Sequence, residues 1–329
     1  MRRILCTTLI LIPACACASG CGDSLQQLGP NLAQVREFAR TRAEATWPGY
    51  GSAAADFLLV GATQETLLCR DEAPAGFDAA GRDANTGCAC YVRSRSGLPD
   101  TLLAAMPIFG PPATIVMGTP QSTGHSGAEW LRTILHEHFH QWQMQLPDYF
   151  ARVDALGLSH GDKSGNWMLA YPFPYGAKAP ARAYARAAHA LAVAVEARGT
   201  RAFVAAFSDF LTARRDFAAS VPEEAWRYLD FEMWQEGGAR WTEIELGKQY
   251  PRADVRAASS VLERRTLEAL RKPDLKTQRR ELVYPFGAAQ LMLLDACGVD
   301  WRASYREALA VTPLLDAALA RCRAARQRR

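Results

Sequence analysis

Apolar residues recur at helical spacing through most of the chain beyond residue 126, as expected for helices with one buried face. Pro180, Pro222 and Pro285 stand where a first helical turn tolerates proline, and Gly199 and Gly298 stand where helices end. The pattern predicts helices over residues 126–145, 180–198, 200–216, 222–248, 254–271, 285–296 and 301–323.

The first part of the chain carries two other patterns. Residues 24–46 place Leu28, Leu32, Val35 and Phe38 on one face of a predicted amphipathic helix. From residue 50 onward, short apolar runs are separated by glycines and prolines, which indicates β-strands joined by turns. The predicted strands are residues 56–60, 66–69, 90–93 and 113–117.

Together these patterns predict an α+β fold, in which a small, mostly antiparallel N-terminal sheet is followed by a large, mainly α-helical region. The two parts are residues 21–118 and residues 119–329, and the sequence shows no repeat or low-complexity linker between them. We therefore expect one compact unit rather than separable modules, and a monomer.

Residues 1–20 have the pattern of a bacterial export signal. A basic start precedes an apolar run from Ile4 to Ile12 that is too short for a permanent membrane anchor, and small residues follow it. Cys21 comes directly after Ala-Ser-Gly, which loosely resembles a lipobox. The sequence thus predicts an exported protein that is either soluble in the periplasm or attached to the membrane through a lipidated Cys21.

The cysteines indicate the compartment of the protein, and the charge distribution indicates which kinds of partner to expect. The cysteine spacing predicts one disulfide from Cys69 to Cys88 or Cys90 and another from Cys297 to Cys322, as in an oxidising compartment. The formal net charge is +4, and the arginines are scattered among alanines rather than clustered with aromatic residues. This pattern does not predict a nucleic-acid partner.

Residues 136–140 read His-Glu-His-Phe-His and contain the pattern H-E-x-x-H. In a helix, His136 and His140 leave the same face one turn apart, about 40° around the axis, as two nitrogens on one zinc ion require. Glu137 lies about 100° further round, where it can act as a general base. His138 points away from the other two histidines and is not expected to be a ligand.

The residues around this motif favour a helix. Ser126 and Glu129 have the spacing of a capping box, Trp130 and Ile134 supply an apolar body, and Pro147 ends the pattern. A catalytic zinc ion needs three protein ligands and one open position. The motif supplies two of these ligands, so a third must come from elsewhere in the chain.

The segment 231–241, Phe-Glu-Met-Trp-Gln-Glu-Gly-Gly-Ala-Arg-Trp, offers a third ligand. Within it, residues 234–239 resemble the Trp-x-x-Glu-Gly-x-Ala context of the glutamate ligand in gluzincin metallopeptidases, with the tryptophan one position closer. The resemblance is limited to the two motif helices. It implies a zincin-like fold and makes Glu236 the third zinc ligand. Glu232, one turn earlier on the same face, is the rival ligand, and Glu243 is a candidate for contacting a ligand from behind.

The chain departs from that family in two respects. Between His140 and Glu236 lie 95 residues, far more than in thermolysin-like enzymes, so helices must be inserted between the two motif helices. Arg240 stands four residues after Glu236, where thermolysin-like enzymes place an aspartate. The resemblance also implies that the strand before the zinc helix, residues 113–117, is an edge strand that pairs with extended substrate.

The sequence leaves open which group stabilises an oxyanion. Residues 157–178 show no periodicity, carry several aromatic side chains and form a loop of a length that is often functional. His160 in this segment and Tyr284 at a helix start are the candidates for donating a hydrogen bond to the oxyanion.

These observations predict a zinc-dependent hydrolase, and in particular a metallopeptidase acting on a peptide or protein substrate. His136, His140 and Glu236 would hold Zn²⁺, while Glu137 would take a proton during attack on the carbonyl and pass it to the leaving amine. The alternatives are a zinc hydrolase of a non-peptide bond and a non-catalytic exported binding protein with a vestigial motif. The intact Glu137 argues against the binding protein, which has no need of a base.

Overall fold

The computed structural model describes Cys21, residues 23–298 and residues 300–327, so the predicted export signal 1–20 lies outside the described residues. The helices follow the predicted pattern closely, with short additional helices in the connections. They are α1 Asp23–Thr41, α2 Pro120–Thr123, α3 Gly127–Met144, α4 Tyr149–Asp154, α5 Asn166–Ala170, α6 Lys178–Glu196, α7 Phe203–Ala219, α8 Glu223–Gln249, α9 Ala253–Arg271, α10 Leu275–Gln278, α11 Val283–Ala296, α12 Arg302–Ala308 and α13 Thr312–Gln327.

One predicted helix, 301–323, is two helices in the structure, α12 and α13. Leu309 adopts a left-handed backbone conformation with φ 48°, which ends α12. The buried Asp230 on α8 then accepts backbone hydrogen bonds from Val311 and Thr312 at 3.2 Å, so α13 starts at a fixed point on α8. The break therefore depends on a partner that lies about eighty residues away in the sequence.

A six-stranded sheet occupies the N-terminal half, which confirms the α+β fold. Four of its five pairings are antiparallel, and the pairing of β1 with β6 is parallel. The strand order is β3-β4-β2-β1-β6-β5. The strands are β1 Asp56–Val60, β2 Gln64–Leu68, β3 Asp78–Arg82, β4 Ala89–Ser94, β5 Leu103–Met106 and β6 Thr114–Met117.

The sequence analysis predicted the wrong strand as the edge of the sheet. The strand predicted at 113–117 is β6, which lies inside the sheet between β1 and β5. The edge next to the helical region is β5, whose sequence Leu-Ala-Ala-Met lacks β-branched residues and gave no strand signal. β6 is fully buried, as expected of an interior strand with neighbours on both sides.

Both faces of the sheet are covered. Phe57 and Leu59 of β1 belong to the main core, which extends from α1 across the helical region to α13. Leu58 and Val60 point to the other face, where they form a smaller core with Phe77 and other apolar residues. A single core cluster thus contains residues from both sides of the predicted boundary at residue 118.

An aromatic cluster around Trp47 joins α3, α8 and the C-terminal helices. The fully buried Trp47 ring lies 5.0 Å from Phe139 and 5.5 Å from Trp241, and its Nε1 donates to Thr242 at 2.8 Å. Tyr305 of α12 packs against the same ring at 5.0 Å. These contacts fix α3 and α8 relative to each other, which positions the residues of the candidate site.

Three disulfides link the described residues. Cys69–Cys88 settles the alternative that the sequence left open, and Cys297–Cys322 is the predicted bond. The third bond joins Cys21 to Cys90 and was not predicted. Disulfides of this number indicate an oxidising, exported environment. None of the helices in the described part of the chain is long and apolar enough to cross a membrane.

Candidate metal centre

Helix α3 carries the H-E-x-x-H motif and begins at the predicted capping box. The Ser126 hydroxyl accepts from the Glu129 backbone N–H at 3.2 Å, and the Glu129 carboxylate accepts from the Ser126 backbone N–H at 3.1 Å. All but one of the residues from Trp130 to Gln143 are buried, so the motif lies in the interior of the molecule. Cap and burial together hold the motif helical.

His136, His140 and Glu236 converge in the structure. Nε2 of His136 and Nε2 of His140 lie 3.3 Å and 3.2 Å from Oε2 of Glu236, and the two nitrogens lie 3.2 Å apart. Ligand atoms about 2.0–2.1 Å from one tetrahedral ion lie about 3.3–3.4 Å from one another. The three atoms therefore have the separations that a single zinc-sized cation requires, and the set could hold a metal ion.

The electrostatics of this triad also suit a cation. Burial disfavours a charged imidazole, yet Glu236 and Glu243 raise the pKa of His136 to about 10. Burial likewise disfavours a charged Glu236, but His140, His136 and Arg280 hold the pKa of that carboxyl well below its usual range. The site is thus built to stabilise positive charge between the imidazoles and the carboxylate.

Glycines on α8 allow the close packing that places Glu236. A Cβ at Gly237 would lie 2.5 Å from the Cα of Gly287 on α11, and a Cβ at Gly238 would overlap the ring of Tyr305. Side chains at these positions would push α8 away from both neighbours. The crossing with α11 brings the N-terminal end of that helix, with Tyr284, next to the triad.

Arg280 holds the second oxygen of Glu236. Its Nη2 donates to Oε1 of Glu236 at 2.7 Å and lies 2.6 Å from Oε2 of Glu232. Nε and Nη1 donate to the Met168 carbonyl at 3.0 Å and the Tyr284 hydroxyl at 3.2 Å. With Oε1 engaged by Arg280, Oε2 of Glu236 faces the histidines. Glu232, the rival ligand, contacts Arg280 instead.

Gln143, which the sequence analysis missed, contacts His140 from behind. Its Oε1 lies 2.8 Å from Nδ1 of His140, while its Nε2 donates to the Tyr305 hydroxyl at 2.9 Å and to the Gln235 carbonyl at 3.2 Å. An amide oxygen fixed in this way requires a proton on Nδ1, which leaves Nε2 free to bind a metal. The three-residue spacing of His140 and Gln143 on one helix was the signal in the sequence from which this contact could have been predicted.

His136 has a carboxylate behind it. Its Nδ1 lies 3.3 Å from Oε2 of Glu243, a contact distance that lacks hydrogen-bond alignment. Arg132 and Arg240 contact the same carboxylate at 2.6 Å and 3.1 Å. Glu243 therefore occupies the place behind a ligand that the sequence analysis expected of it.

Glu137 lies beside the triad and faces the edge of the sheet. Its Oε2 accepts a hydrogen bond from the Ala105 backbone N–H of β5 at 2.8 Å. Burial raises the pKa of Glu137 against the opposing effect of His136 and His140. One carboxylate oxygen, Oε2, is thus anchored to β5, and this hydrogen bond leaves Oε1 unengaged.

The structure brings Tyr284 to the site but not His160. The Tyr284 ring lies 5.9 Å from that of His136, and its hydroxyl accepts from Arg280. His160 is 64% exposed and contacts Glu224 at 2.9 Å. Glu224 precedes Glu236 by three helical turns, about 18 Å along α8. His160 therefore has no contact with the triad, because its side chain lies on the surface beside the start of α8.

The rest of segment 157–178 is packed onto the body by its aromatic residues. Tyr171 stacks on Tyr228 at 4.1 Å, and Trp167 stacks on Phe231 at 5.8 Å. The contact of this segment with the site runs through the Met168 carbonyl, which accepts from Arg280. Through this backbone carbonyl the segment helps to position Arg280, which in turn contacts Glu236.

His138 points away from the triad, as predicted. Its ring is buried, its Nδ1 lies 2.9 Å from Oε1 of Gln141, and Tyr50 packs edge-on against it at 4.5 Å. On this side of α3 lies a cavity of about 1060 Å³, whose lining includes Arg36, Asp56 and His138 but none of the triad. The cavity is separate from the candidate metal centre.

Comparisons with protein-family models, curated proteins and solved structures return no match to this chain. The candidate site therefore rests on its own geometry and on the chemistry of its donor set.

Proposed function

We propose that this protein is an exported zinc-dependent hydrolase, and specifically a metallopeptidase of gluzincin type. The observation that carries the proposal is the convergence of His136, His140 and Glu236 at 3.2–3.3 Å from one another, with the Glu137 carboxylate beside them. Two imidazoles and one carboxylate leave a fourth position of a tetrahedral ion open, which distinguishes catalytic from structural zinc sites.

A zinc ion held by this triad would supply Lewis acidity and lower the pKa of a coordinated water. Glu137 follows His136 directly on α3, and the Ala105 N–H holds one oxygen of its carboxylate, which positions the group beside the triad as a proton acceptor. We assign it the role of taking the proton of the attacking water and passing it to the leaving group. Tyr284, beside His136, is our candidate for stabilising the oxyanion.

A peptide is the substrate that the edge strand favours. β5 pairs with β6 on one side only, and the Ala105 N–H on its other side reaches Glu137. An extended peptide that added to this edge would place a carbonyl near the triad through backbone hydrogen bonds. This function of an edge strand, expected of residues 113–117 from the sequence, we now assign to β5.

The first test is the metal content of the purified protein. We expect about one zinc per chain, lost in His140→Ala and retained in His189→Ala, an exposed histidine on α6 that serves as the control. Absence of metal in the wild type, with none taken up from added zinc, would contradict the proposed metal centre.

Catalysis is tested separately with Glu137→Gln. This variant should keep the zinc and lose turnover on a peptide library by at least about 1000-fold, because the base is removed while the ligands stay. A metal-loaded wild type that cleaves esters or non-peptide amides but no peptide would move the assignment to another hydrolase class. Turnover retained in Glu137→Gln would exclude Glu137 as the base.

A further inference from the structure

Arg240 borders the candidate metal centre on the side of His136. It lies one helical turn beyond Glu236 on the same face of α8. Its Nε is 3.1 Å from Oε2 of Glu243, and the same carboxylate oxygen is 3.3 Å from Nδ1 of His136. The Arg240 guanidinium also lies over the Tyr284 ring, 5.0 Å from its centroid. Arg240 thus contacts Glu243, and Glu243 in turn contacts Nδ1 of the candidate ligand His136.

Arg240 shares Glu243 with a second arginine, so its guanidinium is not the only cation at that carboxylate. Arg132 already contacts Glu243 at 2.6 Å and is anchored at its other end by the Ala258 carbonyl. Nε of Arg240 is buried without a hydrogen bond, and its two terminal nitrogens donate to no residue in the part of the chain that the structure describes. Its side chain is 24% exposed, against 12% for Arg280. Arg240 is therefore a cation with donors to spare.

We propose that Arg240 binds a carboxylate of the substrate, so that the site selects peptides with an anionic group next to the scissile bond. This inference rests on the proposed peptidase function. A guanidinium presents two parallel N–H groups that match the two oxygens of a carboxylate. The carboxylate is either the C-terminus of the peptide or an aspartate or glutamate side chain.

The charge balance around the site supports an anionic ligand. Four carboxyl groups face three arginines, so with every carboxyl group ionised these side chains sum to −1, and a divalent cation would change the sum to +1. Burial raises the pKa of Glu232 to about 8, and protonation of this group makes the sum more positive still. An anion bound at Arg240 would balance this charge inside a largely buried site. The side chains are Glu137, Glu232, Glu236 and Glu243, with Arg132, Arg240 and Arg280.

The test compares Arg240→Gln and Arg240→Lys with the wild type on matched peptides. One pair of N-acetylated alanine tetrapeptides ends in a free carboxylate or an amide. A second pair, amidated at the C-terminus, carries glutamate or glutamine as the last residue. Arg264→Gln, an exposed arginine on α9, is the control for loss of one positive charge. The first pair tests a terminal carboxylate, and the second pair tests an acidic side chain.

We expect Arg240→Gln to lower kcat/KM about 10- to 100-fold, mainly through KM, on the carboxylate member of one pair, because a charged hydrogen bond is lost. The amide or glutamine partner should change less than about twofold, and Arg240→Lys should recover part of the loss. Zinc content should stay unchanged, because Arg132 still holds Glu243. An equal loss on both members of each pair would overturn the proposal, since it indicates a positioning effect through Glu243.

A binding measurement separates this inference from the peptidase proposal. Zinc-loaded Glu137→Gln should bind the carboxylate peptide by calorimetry, and the double variant with Arg240→Gln should bind it at least about tenfold more weakly. If the wild type cleaves none of the peptides but this difference is found, the peptidase proposal fails and the Arg240 inference stands. Equal binding by the two variants overturns the Arg240 inference whether or not peptides are cleaved.

Discussion

Nδ1 of His140 lies 2.8 Å from the side-chain oxygen of Gln143, one turn further along the same helix. The Gln143 amide is itself fixed, because its nitrogen donates to the Tyr305 hydroxyl at 2.9 Å. Both Gln143 and Tyr305 are fully buried. The orientation of a candidate metal ligand is thus set by a hydrogen-bonded chain that reaches from α3 to α12.

Removal of this chain should weaken metal binding without unfolding the protein. We expect Gln143→Ala to lower zinc affinity about 10- to 100-fold, because the His140 ring loses the partner that fixes its tautomer and orientation. Competition with a chromogenic chelator measures the change. Gln145→Ala, an exposed glutamine at the end of α3, is the matched control. Equal affinities of Gln143→Ala and the wild type would show that Gln143 is not a positioning residue.

Arg280 and the two buried carboxyl groups that it contacts should stabilise the fold strongly only when all three are present. Arg280→Met removes the cation opposite Glu232 and Glu236 and should cost about 3–5 kcal/mol in the free energy of unfolding. Addition of Glu232→Gln should recover part of this loss, because it removes one of the two buried carboxyl groups that have lost their cation. Urea unfolding of the two single variants and the double variant measures the coupling. Strictly additive effects would contradict a shared network.

The free energy of unfolding should fall as the pH rises from about 4 to 6, because the buried carboxyl group of Asp56 loses its proton over this range. Burial raises the pKa of Asp56 to about 6 against the opposing effect of Arg70, so the folded state binds this proton more tightly than the unfolded state. The stabilisation is complete below the unfolded pKa and is lost as the pH passes 6, by up to about 3 kcal/mol. Unfolding of Asp56→Asn across this range should lack that decline. Parallel curves for both proteins would contradict the assignment to Asp56.

The sulfur of Cys21 can serve one of two purposes. In the structure it is bonded to Cys90, whereas lipidation would attach a lipid to the same atom. We expect peptide mapping under non-reducing conditions to find Cys21 linked to Cys90. Cys90→Ser should lower the free energy of unfolding by about 2–5 kcal/mol. A lipid-modified Cys21 together with a free Cys90 thiol would instead establish membrane attachment and contradict the disulfide.

The elements that were predicted well are those whose signals lie within a few residues. The capping box of Ser126 and Glu129, the length of α3 and the divergence of His138 from His140 all follow from the geometry of one helix. The Cys297–Cys322 bond also closes a short loop. Gln143 was missed, although its spacing from His140 is an equally local signal.

The elements that were predicted wrongly or missed depend on contacts between distant segments. Glu232 and Glu236 lie on one face of α8, and Glu236 was preferred because the glycines that follow it permit close helix packing, but the residue that orients its carboxylate was missed. Arg280, 44 residues further on, contacts both carboxylates and leaves one oxygen of Glu236 directed at the histidines. β5 likewise becomes the edge strand only because β1 pairs with β6.

The sequence by itself thus determined the fold class, most of the helices and the chemical identity of the candidate metal ligands. These depend on local periodicity, capping and side-chain type, which are properties of each segment independent of its tertiary contacts. Only the tertiary structure decided which residues hold those ligands in place, which strand faces Glu137 and that Arg240 lies beside the candidate site with donors to spare. Those outcomes depend on the packing of segments far apart in the sequence, whose mutual orientation no local pattern contains.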